Sequence, residues 1–459
     1  MTFWTSDRVA DALQSLARVN LPRGPQLFAR VWTDTRTIAK GDLFVALVGE
    51  RFDAHDFLQQ AVVSGAAGLV VSRIERARAL GVPVFEVSDT LVALGALARY
   101  RRCAWANPVV GVVGTNGKTS TKELLKATLG SAFTTHATHG NLNNLVGVPL
   151  TLLAIPDDAD VAVVEMGTNQ PGEVARLRAI VEPNITVVTS IAEEHLEGLG
   201  DLAGVMREEL AACEGVAAAI VPASQPDVVA EAKKRARTVI SAGLDQGDFR
   251  ADRWTLETEG NGRIAIGGAE IRVPLRGVHN LRNTMLALAT GRELGVSLER
   301  AAQGIAAMTV PPMRSNVEQI GRMTLVNDAY NSNPGSARAA LELLQHAGRG
   351  RQRVAILGTM LELGPSGPAL HEALARDALA SPIELVAGLG DFATALERAA
   401  DGSARHRLVT ASDVESLWNR LSSRLEPDAV ILLKASRGVR LEQLVPKIKE
   451  WAQGVERRA

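Results

Sequence analysis

The feature that most constrains the fold is an apolar run ending in a glycine-rich turn. Val109-Val-Gly-Val-Val113 leads directly into Gly114-Thr115-Asn116-Gly117-Lys118-Thr119-Ser120-Thr121. The run predicts a buried strand, and the residues beyond it predict a helix starting near Glu123. Glycines let backbone N–H groups turn onto phosphate oxygens, and the helix start adds the positive end of its dipole. Lys118 supplies a point charge, and Thr119 a hydroxyl suited to Mg²⁺. Gly114 to Ser120 are therefore expected to hold a nucleoside triphosphate. The strict phosphate-loop pattern has glycine where Val112 stands, so the alternative is a turn of no function. Gly-Lys-Thr in this context favours the nucleotide.

A chain of 459 residues is too long for one ordinary core and predicts about three domains. The first spans 1–106, with β-type runs at Leu43 to Val48, Ala67 to Ser72 and Val82 to Val87, and helices opening at Asp53 and at Thr90 to Tyr100. The pattern resets at Ala104 to Asn107, just before Pro108. A second domain, 107–312, alternates helices with Val- and Ile-rich strands (Val161 to Val164, Ile185 to Ile191, Val216 to Val221), as in a parallel sheet covered on both faces. β-Hairpins over 251–275 and a helix from Asn280 to Leu294 complete it. Met308 to Arg314, with Pro311 and Pro312, reads as the second linker. The third domain, 313–459, shows four strands (Thr324 to Asp328, Val354 to Leu357, Leu385 to Ala387, Val430 to Leu433) between helices. The fold class is α/β: a central phosphate-loop parallel sheet flanked by a small N-terminal α/β domain and a C-terminal Rossmann-like one.

Composition narrows the function. With 46% hydrophobic and 22% charged residues the chain is neither disordered nor a disulfide scaffold. Fifty basic against 51 acidic residues leave a net charge of −1, so no global field attracts nucleic acid or an anionic membrane. Cys103 and Cys213 show no CxxC spacing, which favours a reducing compartment. Neither a secretory start nor a membrane span is visible, so a cytoplasmic protein is expected.

The turn Gly-Thr-Asn-Gly-Lys-Thr resembles that of the Mur ligase family, ATP-dependent amide-forming enzymes of peptidoglycan precursor synthesis. So do His139-Gly-Asn141-Leu-Asn-Asn144 with Gly147-Val-Pro149, Glu165-Met-Gly167, His195-Leu-Glu197 and Gly277-Val-His279-Asn280-Leu-Arg-Asn283. Asp328-Ala-Tyr330-Asn331-Ser-Asn333-Pro334-Gly-Ser336, Glu362-Leu-Gly364 and Lys434-Ala-Ser436-Arg437 look like the member that adds D-alanyl-D-alanine. Asp34-Thr35-Arg36, Gly41 to Ala46 and Gly49 to Phe57 look like its UDP-sugar module. The Asp-Asn-Pro-Arg expected of the diaminopimelate- or lysine-adding sister is not found.

The resemblance implies ATP and Mg²⁺ as cofactors, and UDP-N-acetylmuramoyl-tripeptide and D-alanyl-D-alanine as small-molecule substrates of a monomer. It implies Lys118 on the β/γ-phosphates, Thr119 and Glu165 on one Mg²⁺ and His195 on a second, with Lys118, Glu165 and His195 forming the catalytic group. Asn280 corresponds to the adenine contact, and Arg314 and Asp328 to groups reaching the phosphates and ribose. Thr35, Arg36, Arg51, Asp53, His55, Asn141, Asn144 and Thr168 fall to the UDP-muramoyl substrate, and Tyr330, Asn331, Lys434, Ser436 and Arg437 to the dipeptide. Each has a plainer reading: His195 as a loop residue, Glu165 as a helix cap, Tyr330 as core, Lys434 to Arg437 as an exposed strand end, and Asp34 to Arg36 and Arg51 to His55 as a turn and a cap. Many relatives carry a carbamylated lysine in the helix after the His195 loop. Here Asp201 to Cys213 has none, and Glu209, beside Glu208, falls near that position as a metal ligand of the same charge, or both lie on a solvated face. Thr359 and Ala435 also depart from the usual pattern. The competing functions are a sister ligase adding a single amino acid and a nucleotide-driven switch without ligase activity.

Overall fold

The computed structural model of the chain describes residues 2–14, 16–20, 26–257, 260–310 and 316–456. Pro311, Pro312 and Arg314 lie outside them, and with them the second linker beyond Val310. The described residues form two compact units: Met1–Gly111 with Thr134–Gly167 and Glu173–Asn184, and Val112–Phe133 with Thr168–Gly172 and Ile185–Ala459.

In the first unit, strands β1 (Ala17–Asn20), β2 (Val31–Trp32), β3 (Leu43–Val45), β4 (Gly68–Val71) and β5 (Val84–Val87) form a sheet in the order β1-β5-β4-β3-β2. Only β1 is antiparallel to its neighbour. Side chains alternate between the faces. Leu43 and Val45 join Phe28, Phe85, Leu94 and Leu97 in one core, while Phe44, Leu69 and Val71 join Leu58 and Ala61 in another.

Helix α1 (Thr90–Trp105) begins where the Asp89 carboxylate accepts the Leu91 and Val92 N–H groups at 2.7 and 3.1 Å, and stops at Ala106, whose φ is 62°. It runs five residues past the expected Tyr100. Its buried Arg102 donates to the carbonyls of Val181 and Glu182 and to Asn184 Oδ1 at 3.0 to 3.1 Å.

The central sheet contains β6 (Val109–Val113), β7 (Thr135–Ala137), β8 (Val161–Glu165), β9 (Ile185–Val188), β10 (Ala218–Pro222), β11 (Thr238–Gly243) and β12 (Phe249–Arg250), in the order β12-β11-β10-β9-β6-β8-β7. Strand β6 runs through both units. The pairs β7–β8, β9–β10, β10–β11 and β11–β12 are parallel. Helix α2 spans Lys118–Gly130, starting five residues before the expected Glu123. Its apolar periodicity begins only at Leu124, because Lys118 to Glu123 are all polar. Helices α3 (Glu173–Val181) and α4 (Leu202–Leu210) follow.

Strands β13 (Arg253–Leu256), β14 (Asn261–Ile266) and β15 (Ala269–Arg276) form an antiparallel sheet, as the glycine-punctuated alternation predicts, and α5 spans Val278–Glu293. Beyond them lie β16 (Asn316–Ile320), β17 (Met323–Asn327), helix α6 (Pro334–Ala347), β18 (Arg353–Leu357), β19 (Leu385–Leu389), β20 (Leu408–Ala411) and β21 (Val430–Lys434). This sheet has the order β16-β17-β21-β18-β19-β20, with β16 antiparallel to β17 and the other pairs parallel. It has six strands where the sequence predicts four. The α/β class holds, and no helix among the described residues is long and apolar enough to cross a membrane.

The thiols differ in reach. Cys213 is fully buried, and burial pushes its pKa up to about 12, whereas Cys103 is exposed on α1, its pKa raised by partial burial and by Glu182. A disulfide reagent at pH 8 is expected to titrate Cys103 alone in the native protein, and both thiols after denaturation. Release of two equivalents without denaturant would contradict the fold around Cys213.

Candidate active site

The turn after β6 is built from contacts that only its own sequence permits. Gly114 sits at φ 119°, where a Cβ would lie 2.4 Å from Thr189 Oγ1, and Gly117 at φ 87°, where a Cβ would lie 2.7 Å from Asn283 Nδ2. Both the left-handed backbone and the crowding require glycine. Thr115 ties the turn to the segment after β9: its N–H donates to Ser190 O at 2.7 Å, and its hydroxyl donates to Ala192 O and accepts from Ala192 N–H. Lys118 Nζ folds back onto the carbonyls of Gly114 and Thr115.

Glu209, on α4, lies behind this turn. Its Oε2 accepts the Gly114 N–H at 2.8 Å, and the residue is 3% exposed. Burial pushes its carboxyl above the usual carboxylate range, while the Lys118 charge and the Gly114 N–H pull it down; Glu194 adds to the rise and His195 opposes it. Lys118, Glu194, His195 and Glu209 thus form one electrostatic cluster. Glu208 faces elsewhere, accepting the Gly172 N–H at 2.7 Å and the Thr168 hydroxyl at 3.4 Å. Both glutamates are buried, which excludes the solvated face.

His195 caps a short helix at φ 53°. Its Nδ1 meets the carboxylate of Glu362, itself at φ 63°, and its Nε2 lies 4.0 Å from Glu194. The Glu197 N–H donates to Glu362 O at 3.1 Å. Asn331 Nδ2 donates to Glu194 Oε1 at 2.8 Å, and Asn116 and Asn333 exchange two amide hydrogen bonds. Loops of the last domain therefore close onto the phosphate turn and the His195 loop.

Asp328 pairs with the buried Lys434 at 2.7 Å, and Lys434 also donates to Asn331 O at 2.8 Å. His279 stands near this pair, and burial pushes its imidazole down to about 4. Asn280 is 3% exposed; its amide donates to Arg276 O at 2.8 Å and accepts from Asn283 at 3.2 Å. Ser436, also buried, accepts the Leu361 N–H and donates to Ser332 O, while Arg437 is exposed beside Glu442. Of the expected dipeptide group, then, Lys434 and Ser436 brace the loops, and Tyr330 is partly buried. Beside Glu362 a cavity of about 390 Å³ is lined by Thr359, His371, Glu372, Asp391 and Arg398.

In the first unit, Glu165 ends β8 at 1% exposure, its carboxylate accepting Asn143 Nδ2 at 2.9 Å and its N–H donating to Thr138 Oγ1 at 3.0 Å. Asn144 Oδ1 accepts the N–H groups of Val146 and Gly147 where the helix from Gly147 begins, and Asn141 is exposed. Arg36 forms an exposed pair with Asp34 beside Thr35, and Arg51 is exposed. His55 is buried with both ring nitrogens used: Nδ1 meets Asp53 Oδ1 at 2.6 Å and Nε2 accepts the Ser72 N–H at 2.9 Å. Asp53 also pairs with Arg73. Thr138, Asn143, Glu194, Asn333 and Glu362 were not singled out as site residues, although all but Thr138 and Glu194 lie inside the family-like motifs.

Among the described residues no three His, Cys, Asp or Glu side chains are gathered into a ready-made metal site. Mg²⁺ needs only one or two carboxylates when phosphate oxygens and water complete its shell. Within the second unit, the Thr119 hydroxyl and the Glu209 carboxylate are hard oxygen donors of the kind such an ion takes.

A parallel sheet with a phosphate turn at its edge, a lysine and carboxylates behind the turn, and a second α/β domain closing over it define a nucleotide-dependent α/β enzyme. Residues 112–291 match the Mur ligase middle domain, and residues 313–437 the Mur ligase, glutamate ligase domain. The chain belongs to the Mur ligase family. It is 35% identical to the UDP-N-acetylmuramoyl-tripeptide–D-alanyl-D-alanine ligase of Escherichia coli, over 92% of this chain and 93% of that one. The crystal structure of MurF from Acinetobacter baumannii superposes with a TM-score of 0.88 at 31% identity, covering 97% of this chain and 99% of that one. MurF from Thermotoga maritima, in complex with ADP, does so with a TM-score of 0.80 at 26% identity, covering 94% and 98%.

Proposed function

We propose that the chain joins D-alanyl-D-alanine to UDP-N-acetylmuramoyl-tripeptide using ATP, as a cytoplasmic monomer. One observation carries the reading: Asn331, Asn333 and Glu362 of the last domain meet the loops that carry Asn116, Glu194 and His195. The groups suited to an amine substrate and those suited to phosphate thus belong to one site. On this reading residues 1–106 hold the UDP-sugar, 107–312 the ATP and 313–459 the dipeptide.

A carboxylate will not accept an amine at neutral pH, because its leaving group would be oxide. Transfer of the γ-phosphoryl group to a carboxylate oxygen releases ADP and leaves an acyl phosphate. The dipeptide amine then attacks the carbonyl carbon and loses a proton, and phosphate departs. Lys118 exchanges its two carbonyl partners for phosphate oxygens and offsets the charge crowded at that point. Thr119, Glu165, Glu209 and His195 would hold Mg²⁺, which supplies charge neutralisation for the phosphoryl group. Asn280 and Asp328 fall to the nucleotide. Asp53 and His55 shape the uridine-side loop, with Thr35, Arg36 and Arg51 at its surface. The cavity beside Glu362 carries carboxylates and Arg398, the two signs of charge that a zwitterionic dipeptide presents.

The test is phosphate release from ATP with purified UDP-N-acetylmuramoyl-tripeptide, with and without D-alanyl-D-alanine. Release is expected only with the dipeptide. Release without it would favour a nucleotide switch, and dependence on a single amino acid would favour a sister ligase.

A further inference from the structure

The phosphate turn carries one side chain whose partner belongs to the last domain. Asn116 Nδ2 donates to Asn333 Oδ1 at 3.1 Å, and Asn333 Nδ2 donates to Asn116 Oδ1 at 2.8 Å. The atom assignment is over-determined. Asn333 is the N-cap of α6, so its Oδ1 must also accept the Ser336 N–H, at 2.9 Å, leaving its Nδ2 as the donor to Asn116. Asn333 is 2% exposed. The Asn116 backbone is pinned from the other side: its N–H donates to Ser190 Oγ and its carbonyl accepts from the same hydroxyl. The first turn of α6 seats directly on the pair, since a Cβ at Gly335 would lie 3.3 Å from both Asn116 Nδ2 and Ala192 Cβ.

We propose that Asn116 and Asn333 form a docking latch that sets the last domain in register on the phosphate turn. Asn116 stands between Gly114 and Thr115, whose carbonyls hold Lys118, and Lys118 itself. A domain latched to Asn116 is therefore registered against the group that handles the transferred phosphoryl. Two amides in a reciprocal pair fix both distance and rotation, which a single hydrogen bond or an apolar contact does not. The role rests on the ligase reading above: the latch places the amine at the acyl phosphate and keeps water from it. Both are positioning residues.

Asn333→Asp separates the latch from the helix cap. Aspartate caps a helix as well as asparagine does, so the Ser336 N–H keeps its acceptor. It cannot donate, and it sets a carboxylate oxygen against Asn116 Oδ1. The melting temperature and ADP affinity are expected to stay at wild-type values. The Asn333 donation to Asn116 Oδ1 is lost while Asn116 Nδ2 keeps its acceptor, so the kcat/KM for D-alanyl-D-alanine is expected to fall about tenfold, the value of one ordinary hydrogen bond at the upper end of its range, and phosphate released per peptide bond to rise above one. With Asn116→Ala, which leaves the cap untouched, the double variant is expected to be no worse than the poorer single one, because both break the same pair.

Additive losses, or unchanged dipeptide kinetics and stoichiometry in Asn333→Asp, would overturn the latch. If Asn333→Asp melts early, Asn116→Ala alone decides by the same dipeptide readouts. X-ray scattering with ADP bound reads the latch without turnover: the Asp variant should be more expanded than wild type, and equal scattering would count against it. If wild type shows no dipeptide-dependent phosphate release, the ligase reading fails, and scattering still reports on the latch.

Discussion

Lys118→Ala is expected to lower kcat/KM for peptide-bond formation by at least about 10³-fold while leaving the fold intact; losses of this order accompany removal of a group aimed at developing charge. Among the described residues, the side chain's direct hydrogen-bond partners are the carbonyls of Gly114 and Thr115 within its own turn. The glycines, Thr115 and the start of α2 hold the turn's shape by contacts that do not involve it. The loss is electrostatic. Behind the turn stand Glu209 and Glu194, and Lys118 is the cation that offsets the first of them. Without it, two anionic substrates must meet on a site that is itself acidic. ADP binding should weaken but persist, because the N–H groups of the turn remain. Coupled phosphate release and product formation, with circular dichroism as the control for folding, measure the effect. A variant within tenfold of wild type would remove the basis of the proposed mechanism.

Strand β6 is read correctly from the sequence because its five residues are all buried and a sharp turn ends it. The inner strands of the last sheet are equally plain. Asn316–Ile320 and Leu408–Ala411 are not, since both are edge strands: the first is half polar and largely solvent-facing, the second only four residues long. The start of α2 is misplaced because Lys118, Thr119 and Ser120 carry no apolar periodicity. At the site, the turn and the residues after β8 and β9 are legible because each is a local signature at a strand end. Their partners are not. Glu362 lies 167 residues from His195, and Asn333 lies 217 from Asn116. Such pairings are set by how sheets and loops stack and leave no mark in local spacing. The plainer readings also divide: Lys434 and Ser436 are buried, whereas Arg437 is exposed.

On the proposal that Glu209 supplies in fixed form the charge of the family's carbamylated lysine, activity is expected to be independent of bicarbonate, and intact-protein mass spectra to show no CO₂ adduct. Glu209→Ala is expected to lose about 100-fold in kcat/KM, the upper range for residues that tune a metal site. Glu209→Gln is the sharper probe, since its amide oxygen still accepts the Gly114 N–H now held by Oε2. Any loss it shows is therefore a loss of charge and not of the turn. Stability should move the other way. Burial raises the Glu209 pKa in the folded chain, so the native state prefers the protonated form, and wild-type stability falls as pH climbs from the unfolded carboxylate value, about 4.3, towards the folded one. Glutamine has no such cost, so the melting temperature of Glu209→Gln relative to wild type should rise as pH climbs above the unfolded carboxylate value. Mn²⁺ binding in the presence of ADP separates the roles: weakened in the Gln variant if the carboxylate serves the metal, unchanged if it serves Lys118 alone. Bicarbonate stimulation of wild type, or a Gln variant as active as the parent, would show that the charge beneath the turn is not what the reaction uses.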